Sequence, residues 1–183
     1  MKKSTVLLAA ALMASSLAAA DRVQVSLTAN ILFPADSAYR EVYGGGPFMP
    51  ELKAAYSFAG GFYAWAGYGL AFASGETPLL KEAAKSRQGF LAAGAGYRRP
   101  LAGGWSVFGE LGLAGISYRE ETLGSTISGS ALGFAVNVGV RRDLGRRFFL
   151  LAQAGYVYGK KTFEDVAIKL GGAKAGIGAG IRF

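Results

Sequence analysis

From Arg22 onward the chain alternates apolar and polar residues with a period of two. In Arg22–Phe33, Val23, Val25, Leu27, Ala29, Ile31 and Phe33 share one face, and Gln24, Ser26, Thr28 and Asn30 the other. Successive side chains of a strand point to opposite faces, so this is a strand with one apolar and one polar side. The pattern returns in Phe48–Phe58, Phe62–Ala73, Phe90–Arg99, Trp105–Tyr118, Ala131–Arg142, Phe148–Gly159 and Gly172–Phe183. Tilted strands of roughly 9 to 11 residues suffice to cross a bilayer, whereas strands of soluble sandwiches average roughly 5 to 6. The even count, the length and the alternation predict an all-β fold: an eight-stranded, antiparallel, up-and-down transmembrane β-barrel with its apolar face turned to lipid. A soluble barrel would carry its apolar face inward. The many glycines on the polar face instead fit a crowded interior.

The spaces between the segments alternate in length. Ala59–Gly61, Pro100–Gly104 and Asp143–Arg147 read as tight turns. Pro34–Pro47, Ser74–Gly89, Arg119–Ser130 and Lys160–Gly171 read as four long loops. This places both chain ends on the short-turn side. Within the first loop, Asp36 as N-cap and Gly44 as C′ residue predict a short helix over Ser37–Tyr43. A further helical turn is expected after Pro78, capped by Thr77. Phe58, Phe62, Tyr97, Trp105, Phe148 and Phe183 fall at short-turn ends of strands. They are expected to form an aromatic belt at one membrane interface. Phe33, Phe48, Phe72, Tyr156 and Tyr158 fall toward the other.

The first twenty residues have a different character. Lys2 and Lys3 precede an uncharged apolar run, Val6–Ala20, that ends in Ala18-Ala19-Ala20 before Asp21. This is the pattern of a secretory signal peptide, with cleavage expected after Ala20 and a barrel domain over 21–183. The apolar run is too short for a spanning helix, which needs roughly 20 residues.

Composition removes several kinds of chemistry. The 183 residues include no histidine and no cysteine. That excludes disulfides, thiolate nucleophiles and histidine-based triads. No cofactor or metal site is expected. The net charge is +8, with 20 Lys and Arg against 12 Asp and Glu. The basic residues cluster at the strand ends and show no stacking platform, so nucleic acid is not an expected partner.

Parity sends Glu51, Lys53, Arg98, Glu110, Arg141, Lys174 and Arg182 to the polar, inward side, where a lumen charge network is expected. An eight-stranded barrel is just wide enough for side chains to fill it. Tyr63, Trp65, Phe108 and Phe149 would fill space opposite inward glycines. Glu51 is assigned toward the outer rim and Glu110 toward the short-turn end. Glu110 is expected to pair with Arg98 or Arg141 on the neighbouring strands, because an unpartnered buried carboxylate is very costly. The separation argues against a catalytic carboxylate pair. Phe149, Leu151 and Val157 make the seventh strand apolar on both faces; they belong either to a packed core or to a lumen for small apolar solutes.

The closing segment Gly176-Ile-Gly-Ala-Gly-Ile-Arg-Phe183, the eight amphipathic strands and the first-loop segment Pro34–Gly44 together resemble the small outer-membrane β-barrels of the OmpA/OmpX type over residues 23–183. The resemblance implies an outer-membrane location and lipid and lipopolysaccharide neighbours. It also implies recognition by the barrel-assembly machinery through the terminal aromatic Phe183. Members of that family include adhesins, envelope-stabilising proteins, narrow channels and lipid-modifying enzymes; the barrel alone does not choose among them. The lipid-modifying members use a histidine, which this chain lacks. The expected role is therefore a monomeric, non-enzymatic structural or surface-interaction barrel with a packed lumen. The alternative is a narrow channel for small or hydrophobic solutes.

Overall fold

The computed structural model describes residues 22–78, 81–122, 125–163 and 166–183. The twenty residues of the expected signal peptide lie outside them. Eight antiparallel strands close on themselves in the order β1 to β8, with β8 returning to pair with β1. They are β1 (Val23–Pro34), β2 (Phe48–Ser57), β3 (Phe62–Glu76), β4 (Ala83–Pro100), β5 (Trp105–Thr122), β6 (Ser125–Leu144), β7 (Phe148–Phe163) and β8 (Val166–Arg182). Closure leaves no sheet edge, so each strand has a hydrogen-bonded neighbour on both sides.

Parity along the strands decides which side chains meet lipid. Leu27, Leu52, Leu91, Leu111, Leu113, Leu132, Val138, Leu150 and Ile177 are all exposed on the outer wall. Residues of the opposite parity on these strands, Thr28, Glu51, Glu110, Asn137 and Lys174 among them, are buried inside. A soluble monomer does not expose a continuous apolar wall of this kind. Phe58, Phe62, Tyr97, Trp105, Phe148 and Phe183 stand exposed at the short-turn end, and Phe33, Phe48, Phe72 and Tyr156 at the opposite end. The Phe62 and Tyr97 rings meet across the β3–β4 register, 5.0 Å apart.

Two of the tight turns are one device used twice. Phe58-Ala-Gly-Gly-Phe62 and Leu101-Ala-Gly-Gly-Trp105 each close as a tight turn with the same backbone course. Gly60 and Gly103 both adopt φ 71°, a left-handed conformation that glycine enters without steric cost. The flanking residues exchange a backbone bond of 2.7 Å, from Phe58 N to Phe62 O and from Leu101 N to Trp105 O.

Three of the four segments read as long loops are largely strand. The β3–β4 ladder runs out to Glu76↔Ala83, and the β5–β6 ladder to Thr122↔Ser125. The β7–β8 ladder continues to Phe163↔Val166. The cause is physical. Backbone pairing does not require an apolar face, so the ladder continues after the outward side chains turn polar. Apolar alternation marks only the stretch that crosses lipid. The strands of 15 to 20 residues, β3 to β8, therefore project beyond the apolar wall as hairpins. Only Pro34–Pro47 is a true loop, and it carries helix α1 (Ser37–Tyr43). Asp36 caps it, its carboxylate accepting from Ala38 N (3.0 Å) and Tyr39 N (3.2 Å). Gly44, at φ 70°, ends it. The helical turn expected after Pro78 runs through residues 79–80, outside the described residues. Thr77 Oγ1 accepts from Glu82 N at 3.1 Å.

Large inward rings lie over glycines of the next strand. Tyr63 is in register with Gly96, Phe108 with Gly139 and Phe149 with Gly180. A β-carbon on Gly139 would stand 2.5 Å from Phe108 Cζ, and one on Gly96 would stand 2.4 Å from Tyr63 Cζ. The interior is thus closed by pairing one large side chain with one absent side chain, layer by layer.

Candidate functional site

The interior divides into three layers. The layer toward the hairpins is apolar: Leu32, Met49, Phe90, Ile116, Val157 and Leu170 are buried against one another. Above it, α1 turns Tyr39 inward, where burial pushes the phenol pKa up and keeps the group neutral.

The middle layer is a compensated charge cluster. Lys53 Nζ of β2 lies 2.6 Å from Glu110 Oε2 of β5 and 3.9 Å from Glu51 Oε1. Lys174 Nζ of β8 lies 2.5 Å from Glu51 Oε2. Neutral donors complete the carboxylates. Tyr63 Oη donates to Glu110 Oε1 (3.0 Å) and Asn137 Nδ2 to Glu110 Oε2 (3.0 Å). Gln153 Nε2 donates to Asn30 Oδ1 at 3.0 Å, and Asn30 Nδ2 to the Met49 carbonyl at 3.2 Å. Lys53 also stands 5.3 Å from the centre of the Trp65 ring. Two cations face two anions, all buried. A buried pair with this much hydrogen bonding offsets its desolvation; either charge alone would not.

The third layer, at the short-turn end, is cationic. Arg98 Nη1 of β4 donates to Gln24 Oε1 of β1 at 2.9 Å, and Arg141 Nη1 of β6 donates to the same oxygen. Arg141 Nε donates to Asp143 Oδ1 (2.7 Å), and Arg182 Nη1 of β8 to Asp143 Oδ2 (3.2 Å). The Arg141 guanidinium carbon also lies over Phe149, 3.7 Å from the ring centre.

Glu110 therefore meets Lys53, not Arg98 or Arg141. Register explains the difference. Glu110 is opposite Gly96 on β4 and Asn137 on β6. Arg98 is opposite Phe108, and Arg141 opposite Ser106, both further toward the short turns. The two arginines fall in the layer below, and the cation at Glu110's level comes from across the lumen. For the same reason Glu51 and Glu110 are not at separate ends; Lys53 joins them in one cluster. The seven charged residues form two groups: Glu51, Lys53, Glu110 and Lys174 in the middle, and Arg98, Arg141 and Arg182 below. The amides of Gln24, Asn30, Asn137 and Gln153 are the members that sequence reasoning left out. Parity already sent them inward, but parity does not say which inward side chains share a layer. Phe183 donates its backbone N–H to Val23 O at 2.9 Å, which helps tie the chain end to β1.

A closed barrel with an apolar, aromatic-bounded outer wall and a filled interior defines a membrane-spanning β-barrel. Residues 4–183 match the outer membrane protein beta-barrel domain family, and the chain belongs to it. No curated protein matches it. Among solved structures it resembles Neisserial surface protein A (15% identity over 88% of this chain and 96% of that one, TM-score 0.66). It also resembles the N-terminal β-barrel domain of Pseudomonas aeruginosa OprF (16% identity over 90% and 98%, TM-score 0.58). A third is Ail, the attachment invasion locus protein of Yersinia pestis, in complex with the heparin analogue sucrose octasulfate (16% identity over 89% and 97%, TM-score 0.55). At these identities the likeness is one of fold. The family places the protein in the outer membrane. In this class short turns face the periplasm and the longer connections the exterior. The cationic layer is then periplasmic, and the hairpins with α1 are extracellular.

Proposed function

We propose that the protein is a non-enzymatic surface-interaction and envelope barrel that binds anionic groups of lipopolysaccharide at its outer rim. The observation that carries this reading is the β4–β5 register. Arg87 and Arg119 stand directly opposite each other, both outward and exposed. Like charges directly opposite across a strand pair are destabilising unless an anion answers them. Arg119 reaches Glu121 at 2.9 Å on the exposed surface, where such a pair contributes little. Arg87 is in register with Phe72 of the outer aromatic belt, its guanidinium 5.5 Å from the ring centre. That is the height at which lipid phosphates lie. Ail in complex with a heparin analogue makes polysulfated sugar the second class of ligand to test at these hairpins. The filled lumen supports the non-channel reading: the compensated cluster and the apolar layer occupy the path a solute would take. The missing histidine and the paired carboxylates support the non-enzymatic one. The reading includes export by residues 1–20, removed after Ala20, and assembly through β8 and Phe183. It also takes the barrel to be a monomer.

The test uses refolded protein in vesicles with and without lipopolysaccharide. Lipopolysaccharide should raise the unfolding midpoint of the wild type, and R87Q/R119Q should lose most of that gain. In planar bilayers the wild type should give no discrete conductance steps. Regular steps would overturn the packed-lumen reading. Equal lipopolysaccharide stabilisation of the variant would overturn the rim site.

A further inference from the structure

We propose that the periplasmic end of the lumen is a binding site for a small oxyanion of the phosphate or sulfate class, held by Arg98 and Arg141. Four observations meet there. A cavity of about 40 Å³ is lined by both arginines together with Gln24, Tyr63, Phe108 and Phe149. One water needs roughly 10 to 15 Å³ of such space, so there is room for a group of a few heavy atoms. The side chain of Arg141 is 4% exposed, and its Nη2 has no hydrogen-bond partner among the described residues. A buried donor left unmade is costly, more so on a cation. Finally, the two guanidiniums converge on one neutral acceptor, Gln24 Oε1.

The charges around the cavity do not cancel. Lys53 and Glu110 also line it, but they answer each other at 2.6 Å. The oxygens of Asp143 are divided between Arg141 and Arg182. Among the described residues Arg98 makes no ion pair within 4 Å, and Asp143, already held by Arg141 and Arg182, acts on it only from further away. A bound oxyanion would supply the missing charge and several acceptor oxygens in the planar geometry that guanidinium groups match bidentately. The apolar rings of Phe108 and Phe149 at the cavity wall would strengthen both contacts by excluding water. The ligand is a free ion, because the cavity lies inside the barrel and acyl chains stay outside the wall. This site is separate from the outer rim, on the opposite side of the membrane, and does not depend on the function proposed there.

The experiment titrates inorganic phosphate into the refolded full chain in zwitterionic micelles, with chloride exchanged to hold ionic strength constant. The unfolding midpoint should rise and saturate at millimolar phosphate, and chloride alone should not reproduce it. R98Q and R141Q should abolish the rise, and R147Q, an exposed turn substitution, should keep it. If R141Q does not refold, R98Q decides, since among the described residues the Arg98 side chain hydrogen-bonds only to Gln24. No saturable rise in the wild type would overturn the site, as would an equal rise in R98Q. Loss of the phosphate response when phosphatidylglycerol is added to the micelles would assign it to headgroup-facing arginines outside the barrel, and would also overturn the proposal.

Discussion

Lys53 is the residue on which the middle of the barrel depends. Among the described residues it is the cation within 4 Å of Glu110, and it also lies within 4 Å of Glu51. Glu51 keeps Lys174 when Lys53 is lost, but Glu110 keeps only Tyr63 and Asn137. Removing one member of a buried pair typically costs about 3 to 5 kcal/mol, because the other charge stays buried. K53M should therefore lower the guanidinium unfolding midpoint substantially, and K53M/E110L should recover much of the loss. A double-mutant cycle of refolded protein reads this coupling directly. A neutral K53M would mean that Glu110 is solvated, and the packed-lumen account would fall. At this scale the sequence disclosed which residues face inward, because odd and even positions cannot share a face. It did not disclose that Lys53 and Glu110 meet. They are 57 positions apart and touch across the lumen, and strand tilt decides that contact.

Among the described residues α1 stands apart as the one α-helix beside eight strands. Asp36 does two things for it. Its Oδ1 caps the first turn, and its Oδ2 accepts from Lys169 N of β8, 3.2 Å away. D36A should cost about 0.5 to 2 kcal/mol of local stability from the cap alone. The loss should appear as faster trypsin cleavage after Arg40 in the folded protein, with the barrel's global unfolding midpoint nearly unchanged. A matching fall in the global midpoint would show that the loop is part of the cooperative unit. The helix was legible in the sequence because capping chemistry is local: an acceptor side chain at one end, a left-handed glycine at the other. The hairpins were not. Their outer halves are strand without apolar alternation, and Lys85, Arg87 and Arg119 read as loop residues when judged by polarity alone. The repeated Ala-Gly-Gly before an aromatic, at Ala59 and Ala102, was an available signal for the turn geometry that a general count of glycines passes over.

For the whole molecule, closure is the dominant fact. Every strand is paired on both sides, so local fraying must break two ladders at once, and backbone groups have no partner to find in lipid. Folded protein in dodecyl sulfate should migrate differently on a gel before and after boiling, with β-type circular dichroism. Identical mobility would contradict a closed barrel. The eight-stranded plan was legible because lipid on one side and a narrow lumen on the other force a strict alternation that few other folds require. One consequence of that alternation concerns assembly. A hairpin that slips by two residues keeps every side chain on its correct face, so polarity cannot detect the error. Size can. With Phe108 opposite Gly139 the ring has somewhere to lie; a slip of two would set it against Asn137 or Arg141 instead. The ring and its empty partner thus work as a key and a keyhole, rejecting the misaligned hairpins that hydropathy alone would accept.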